Sequence, residues 1–251
     1  MEKMKLFLLK NYKILIVILV VVIFGTSLYF LAHPKDLPGV SYIRKQEKKD
    51  PDEISKDLAS LKKQERQEGV ANGTIDIFGL FDDYVIFGDS RTMGFSMFGF
   101  LLDNRIYASS GANIQDIDGW LEALRSLQPH NIYVAYGVND MGLGLNNLPG
   151  GYGAVAEEHI LNIQNICPNS NIYVNSILPA TQEAIEKSPN WGQVDIYNEE
   201  LKKVCADHGW TYIDNSNLIP FGDTSAYQLD GIHFKTDFYA KWAQNMIDAT
   251  K

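Results

Sequence analysis

The chain has 251 residues, which is enough for one ordinary domain plus an appendage and too few for two large domains. Its formal net charge is −9 at pH 7, and residues 70–251 alone carry nine Lys/Arg against 22 Asp/Glu, a balance of −13. A domain this acidic gains nothing from phosphate backbones and is repelled by anionic surfaces, which argues against nucleic acid as a partner.

An apolar run dominates the amino terminus. Residues 14–32 form an uninterrupted run of 19 uncharged residues, close to the roughly 20 that a helix needs to cross a bilayer. Because four lysines precede the run, we predict a cytoplasmic basic tail (1–13), a transmembrane signal anchor (14–32) and an extracytoplasmic remainder. A signal peptide cleaved after Ser27 is the alternative, but the run is longer than an ordinary signal core.

The next segment, residues 33–73, has a different composition. Residues 33–69 contain nine Lys/Arg and eight Asp/Glu, with almost no large apolar residue after Ile43. This pattern predicts a charged stalk or linker, either a solvated helix or a flexible chain, that holds residues 74–251 away from the membrane. Ile54, Leu58 and Leu61 form too brief a seam to predict a coiled coil.

Residues 74–251 alternate short β-rich segments with helical patterns. The expected strands are 84–87, 105–108, 131–136, 171–177 and 210–214, and the expected helices are 114–127, 155–166, 194–205 and 238–247. This alternation predicts a doubly wound α/β domain with a central parallel sheet of about five strands. Cys167 and Cys205 lack metal-ligand spacing, and we expect two buried free thiols in preference to a disulfide.

Four polar patches follow the expected strands or lead to the last helix. They are Gly88-Asp89-Ser90, Gly111, Gly137-Val138-Asn139-Asp140 and Asp230-Gly231-Ile232-His233. Because ligands of open parallel sheets bind beyond the carboxyl ends of the strands, we expect these patches to converge.

Their residue types match the needs of acyl transfer through a covalent intermediate. Ser90 is the candidate nucleophile, His233 the base that activates it, and Asp230 the acid that orients the imidazole. The backbone N–H groups of Ser90 and Gly111 and the side-chain amide of Asn139 are the candidate oxyanion donors, commonly worth about 3 kcal/mol each.

These patches resemble the blocks of the SGNH, or GDSL-type, hydrolase superfamily, which supply Ser, Gly, Asn and His. The resemblance covers roughly residues 84–247 and implies a flavodoxin-like three-layer α/β/α sandwich, no metal and no cofactor, and hydrolysis or transfer of ester-linked acyl groups. It also implies that Asp89 is a structural loop residue. Arg91 departs from the commonest pattern, in which Leu follows the serine, and either binds an acidic part of the substrate or is solvated.

The composition of residues 179–193 predicts a polar loop beside the ligand crevice expected at the carboxyl ends of the strands. In this loop, Trp191 either stacks on a sugar or holds the loop against the protein. The sequence as a whole predicts a membrane-anchored, extracytoplasmic serine esterase that acts on O-acetyl or other short acyl esters, with a glycan as the candidate carrier. An O-acyltransferase or a lipase/lysophospholipase with the same site remains open, and so does a non-catalytic glycan-binding module.

Overall fold

A computed structural model of the protein describes residues 2–32, 38–48 and 50–250. The chain divides into two compact units, Met1–Lys62 and Lys63–Lys251. The first contains helices α1 (Glu2–Ala32) and α2 (Pro38–Glu47) and the first half of α3 (Pro51–Ala71). Parts of the expected tail and stalk, namely residues 1, 33–37 and 49, lie outside the described residues.

The apolar run lies within α1. Its segment Asn11–Ala32 has a mean hydropathy of 2.9 and is long enough to cross a membrane, although by the same length and composition it could serve as a signal sequence. Over its described part, the charged segment that follows is mainly helical, in α2 and α3.

The second unit begins within α3, earlier than the boundary at 73/74 that the composition suggested. The Arg66 guanidinium donates to Asp248 Oδ1 at 2.8 Å, Gln67 Nε2 donates to Asp248 Oδ2 at 2.9 Å, and Lys63 Nζ lies 3.4 Å from that oxygen. The Asp248 side chain is only 7% exposed. The last turns of α3 are therefore fastened to the catalytic-domain candidate near its carboxyl terminus.

Five parallel strands form the central sheet of this unit. They are β1 (Tyr84–Gly88), β2 (Ile106–Ala108), β3 (Asn131–Ala135), β4 (Asn171–Asn175) and β5 (Thr211–Ile213). Their order is β2-β1-β3-β4-β5, which is the flavodoxin-like order of a doubly wound sheet. The predicted fold class and the number of strands are confirmed.

Helices cover both faces of the sheet. In chain order they are α4 (Ser90–Met97), α5 (Leu121–Leu127), α6 (Val138–Leu143), α7 (Gly151–Ile166), α8 (Gln182–Lys187), α9 (Val194–His208) and α10 (Phe238–Ala249). Val85 and Phe87 pack into a core with α5, α7 and α9, whereas Tyr84 and Ile86 pack into a second core with α4 and α10. Because successive strand residues point to opposite faces, a strand that is covered by helices on both sides carries apolar residues at consecutive positions, as β1 does. The sheet and its two helical layers form a three-layer sandwich.

Two segments differ from the sequence-based expectation. The first half of the expected helix 114–127 is a 3-10 segment, Ile114–Trp120, that opens with a capping box between Asn113 and Asp116. The expected polar loop 179–193 contains helix α8, whose N-cap Thr181 accepts a hydrogen bond from the backbone of Ala184. Both cysteines, Cys167 and Cys205, are free and buried.

Candidate active site

Three of the four polar patches follow strands whose carboxyl ends are in register. Gly88, the last residue of β1, is paired with Ala108 and Ala135, the last residues of β2 and β3. Ser90 begins α4 directly after β1, and Gly111 and Asn139 follow the other two strands within four residues. The in-register ends of the strands therefore bring these patches to one edge of the sheet, as their spacing predicted.

The fourth patch supplies the partners of Ser90. His233 Nε2 lies 2.9 Å from Ser90 Oγ, and His233 Nδ1 lies 2.6 Å from Asp230 Oδ2. An ionised carboxylate can only accept hydrogen bonds, so Nδ1 carries the proton and Nε2 offers its lone pair to the serine hydroxyl. This is the tautomer that a general base beside a serine requires.

Asp230 is held as a carboxylate by its local turn. Its Oδ1 accepts hydrogen bonds from the backbone N–H groups of Ile232 (2.8 Å) and His233 (3.0 Å). Partial burial tends to raise the pKa of Asp230, but the hydrogen bonds from the His233 ring and from the two backbone groups outweigh it and lower the pKa. The carboxyl therefore stays ionised at neutral pH and can stabilise a protonated imidazole.

The candidate oxyanion donors lie on neighbouring loops. Gly111 has a φ of +77°, in the left-handed region that favours glycine, and it is exposed to solvent. The Asn139 side-chain amide donates to the carbonyl of Ala112 at 2.8 Å, which joins the second patch to the third. An amide nitrogen carries two hydrogens, so the second remains available for a developing negative charge.

Asp140 is a residue whose contribution the sequence reasoning missed. Its Oδ1 accepts the backbone N–H of Ile114 at 2.9 Å, so the Asn139-Asp140 pair binds the Gly111 loop at two points. The Asp140 side chain is fully buried, and this burial raises its pKa to about 7. An Asn-Asp pair usually caps a helix, and nothing local in the sequence indicates this cross-loop contact.

Asp89 and Arg91 flank Ser90 and are both buried. Asp89 is the N-cap of α4, with Oδ1 accepting the Arg91 backbone N–H at 2.8 Å, in keeping with the structural role implied by the resemblance. Arg91 is 4% exposed, so the interpretation of a solvated residue is wrong. Its guanidinium donates to three backbone carbonyls, which favours a structural role over the substrate-binding interpretation.

Trp191 lies in the 3-10 segment Pro189–Gln193, outside this cluster of polar groups. It is half-buried, packs against the core that contains α7 and α9, and its indole nitrogen lies over Gly142 of α6. This packing favours the interpretation that the tryptophan pins the segment, in preference to a sugar-stacking platform.

The comparisons with known proteins agree with this geometry. Residues 86–241 match the GDSL-like Lipase/Acylhydrolase family, a span that includes all four patches. The chain belongs to this family. It is therefore an ester-hydrolysing enzyme, and in the described parts of the chain no group of three or more His, Cys, Asp or Glu side chains is placed to hold a metal ion.

Solved structures share the fold of this GDSL-like enzyme. A lipase/acylhydrolase from Enterococcus faecalis is 16% identical, with a TM-score of 0.52 over 66% of this chain and 94% of that one. An alpha/beta hydrolase enzyme from the metagenome of Lake Arreo is 18% identical, with a TM-score of 0.50 over 68% and 96% of the two chains. A search of curated proteins found no significant match.

Proposed function

We propose that this GDSL-like enzyme is a membrane-anchored, extracytoplasmic serine esterase that removes short acyl groups, with O-acetyl as the leading candidate, from a glycan. The observation that carries the proposal is the continuous hydrogen-bonded line from Asp230 through His233 to Ser90, at 2.6 and 2.9 Å. A line of this kind turns a weak serine hydroxyl into a nucleophile.

In the first step, Ser90 Oγ attacks the ester carbonyl carbon while His233 Nε2 takes the hydroxyl proton. The carbonyl oxygen becomes an oxyanion that accepts hydrogen bonds from the Ser90 and Gly111 backbone N–H groups and the Asn139 amide. Collapse of this intermediate breaks the bond to the alcohol oxygen. His233 returns the proton to that oxygen, and the alcohol leaves an acyl group on Ser90.

The second step reverses the roles. A water molecule gives a proton to His233 Nε2 and attacks the acyl carbonyl, and the same donors hold the new oxyanion. When this intermediate collapses, the carboxylic acid leaves and His233 returns the proton to Ser90 Oγ. A sugar hydroxyl in place of water would make the enzyme an O-acyltransferase with the same residues.

The proposed location depends on the amino-terminal segment. Residues 14–32 would form a single-pass anchor, residues 1–13 its cytoplasmic tail, and the charged segment after it a stalk that carries the catalytic domain outside the membrane. The support is the apolar length of α1 and the lysines that precede its apolar part. Protease added to intact cells should release the catalytic domain and leave a membrane stub. A mature amino terminus near Leu28 would instead identify a cleaved signal peptide.

The glycan proposal is supported by a cleft of about 810 Å³ that borders Asp230. Its lining combines the apolar side chains of Tyr227 and Leu229 with hydroxyl, amide and charged side chains, namely Thr181, Gln182, Glu183, Thr224, Gln228 and Lys235. The polar members of this lining can hydrogen-bond the hydroxyls of a sugar. The strongly acidic domain also favours a neutral glycan over an anionic polymer.

The decisive experiment labels the nucleophile directly. A fluorophosphonate probe should label the wild-type enzyme and fail to label Ser90→Ala, which should also lose turnover of p-nitrophenyl acetate. Candidate glycans incubated with the enzyme should lose acetyl mass in wild type alone, whereas gain of acyl mass on an added sugar would identify the transferase. If Ser90→Ala labels and turns over ester like wild type, the proposed mechanism is wrong.

A further inference from the structure

The guanidinium of Arg91 hydrogen-bonds three carbonyls from two separate pieces of backbone, Ile232 and the adjacent pair Leu178-Pro179. Its Nε donates to the carbonyl of Ile232 at 2.9 Å, and its two terminal nitrogens donate to the carbonyls of Leu178 (2.6 Å) and Pro179 (3.0 Å). Only a planar fork of several donors can satisfy carbonyls that lie in different directions, which a lysine ammonium or a leucine cannot do.

One of these contacts lies inside the turn that carries the base. Ile232 stands between Asp230 and His233, and the ring of Phe234, the residue after His233, lies 4.8 Å from the guanidinium carbon. The Arg91 side chain therefore contacts both neighbours of His233, the backbone carbonyl of Ile232 and the ring of Phe234. Its own backbone is one peptide bond from Ser90, so a single residue spans from the nucleophile to the base.

The same side chain holds that turn against the end of the sheet. Leu178 and Pro179 follow β4, and the Tyr227 hydroxyl also donates to the Pro179 carbonyl, at 2.9 Å. Burial lowers the pKa of the Arg91 guanidinium, and attraction to the Asp89 carboxylate opposes this effect. Burying a cation costs free energy unless its donors are paired. The Arg91 side chain is therefore held in the one conformation that satisfies these partners.

We propose that Arg91 is a positioning residue that keeps His233 Nε2 in line with Ser90 Oγ without touching the substrate. The proposal rests on the Ser90, His233 and Asp230 roles given above. In family members with leucine after the serine, the same alignment must come from other contacts.

The role predicts a specific kinetic defect in Arg91→Leu and Arg91→Lys. Because a displacement of about 1 Å between reacting groups can cost roughly 10²-fold, kcat should fall by about that factor. KM should change little, since the guanidinium nitrogens are occupied by backbone carbonyls. The rate of fluorophosphonate labelling should fall in parallel with kcat, because labelling needs only an activated Ser90.

The control removes a less buried arginine, with a side chain 25% exposed, whose hydrogen-bond partner lies at the opposite end of β1 from Ser90. Arg105 Nη1 donates to the backbone carbonyl of Tyr84 at the start of β1, away from the site. Arg105→Leu should therefore keep wild-type kcat and labelling. All variants are compared as the full chain in detergent, with rates normalised to the folded fraction found by thermal melting.

Repeating the Arg91→Leu substitution in the His233→Ala variant distinguishes an effect on the position of the base from a general loss of stability. Arg91→Leu should slow labelling about 10²-fold in the wild type and change it little in His233→Ala, because the arginine acts through the base. An equal slowing in both backgrounds, or rates near wild type in Arg91→Leu and Arg91→Lys, would overturn the inference and leave the triad intact. Labelling that survives Ser90→Ala would instead overturn the proposed function, and this inference with it.

Discussion

Replacing Asp230 by asparagine tests whether the carboxylate works through the tautomer of His233. The asparagine carbonyl can still accept the two backbone N–H bonds that now reach Oδ1 at 2.8 and 3.0 Å. Its NH₂ group, in the place of Oδ2, can only donate. His233 must then present a lone pair at Nδ1 and carry its proton at Nε2, where it can no longer accept the proton of Ser90.

The size of the effect follows from these contacts. A wrong tautomer lowers kcat about 10⁴-fold in a serine protease triad, which is about 5 kcal/mol of barrier. Asp230→Ala also loses the two backbone bonds, at roughly 1 kcal/mol of folding stability each, but leaves the ring free to adopt either tautomer. We therefore expect Asp230→Asn to melt at a higher temperature than Asp230→Ala and to be no more active.

Initial rates with p-nitrophenyl acetate and thermal melts measure both quantities on the same samples. Asp237→Asn is the matched control, because Asp237 is an exposed carboxylate on the same loop whose side chain caps no helix. An Asp230→Asn enzyme within about tenfold of the wild-type kcat would refute the tautomer argument.

Three further changes test the rest of the site. Asn139→Ala should lower kcat by roughly 10²–10³ and leave KM nearly unchanged in initial-rate measurements, whereas a rise in KM alone would assign the amide to ground-state binding. Burial raises the pKa of Asp140 from 3.8 to about 7, so the folded state holds this proton more tightly than the unfolded chain, and stability should fall as pH rises from about 4 to about 7. Asp140→Asn should remove this dependence, on the order of 4 kcal/mol, and identical melting profiles from pH 4 to 8 would contradict it. Activity should fall steeply from acetyl to octanoyl esters if the acyl pocket is closed, and rising activity would support the lipase alternative.

Most of the fold could be predicted from the sequence because the same strand–helix pattern recurs along the chain. The central strands 84–88 and 131–135 are mainly apolar and buried on both faces, and each is followed by a helical segment, so the errors were confined to short segments. The 3-10 segment Ile114–Trp120 contains two aspartates and a glycine, and tertiary contacts decided its geometry over the helical spacing of its apolar residues.

The polar groups of the site could also be found, because parallel strands deliver their loops to one edge. The catalytic roles of Ser90, His233 and Asp230 stay predictions until the substitutions are made. Arg91 could not be interpreted, since its partners are backbone carbonyls 87 to 141 residues away and carbonyls leave no trace in sequence. The same holds for Asp140, which contacts a backbone N–H 26 residues away.

The attachment of α3 to Asp248 has a practical consequence for anyone preparing this enzyme without its apolar helix. A fragment that starts at residue 72 would look natural from composition, yet it would strip Lys63, Arg66 and Gln67 from a carboxylate that is 7% exposed. The loss of these partners would cost roughly 2 kcal/mol, a large part of the margin of an ordinary domain. A fragment that begins before residue 63 keeps these partners. Low activity or low stability in such a fragment can then be attributed to the enzyme itself and not to the truncation.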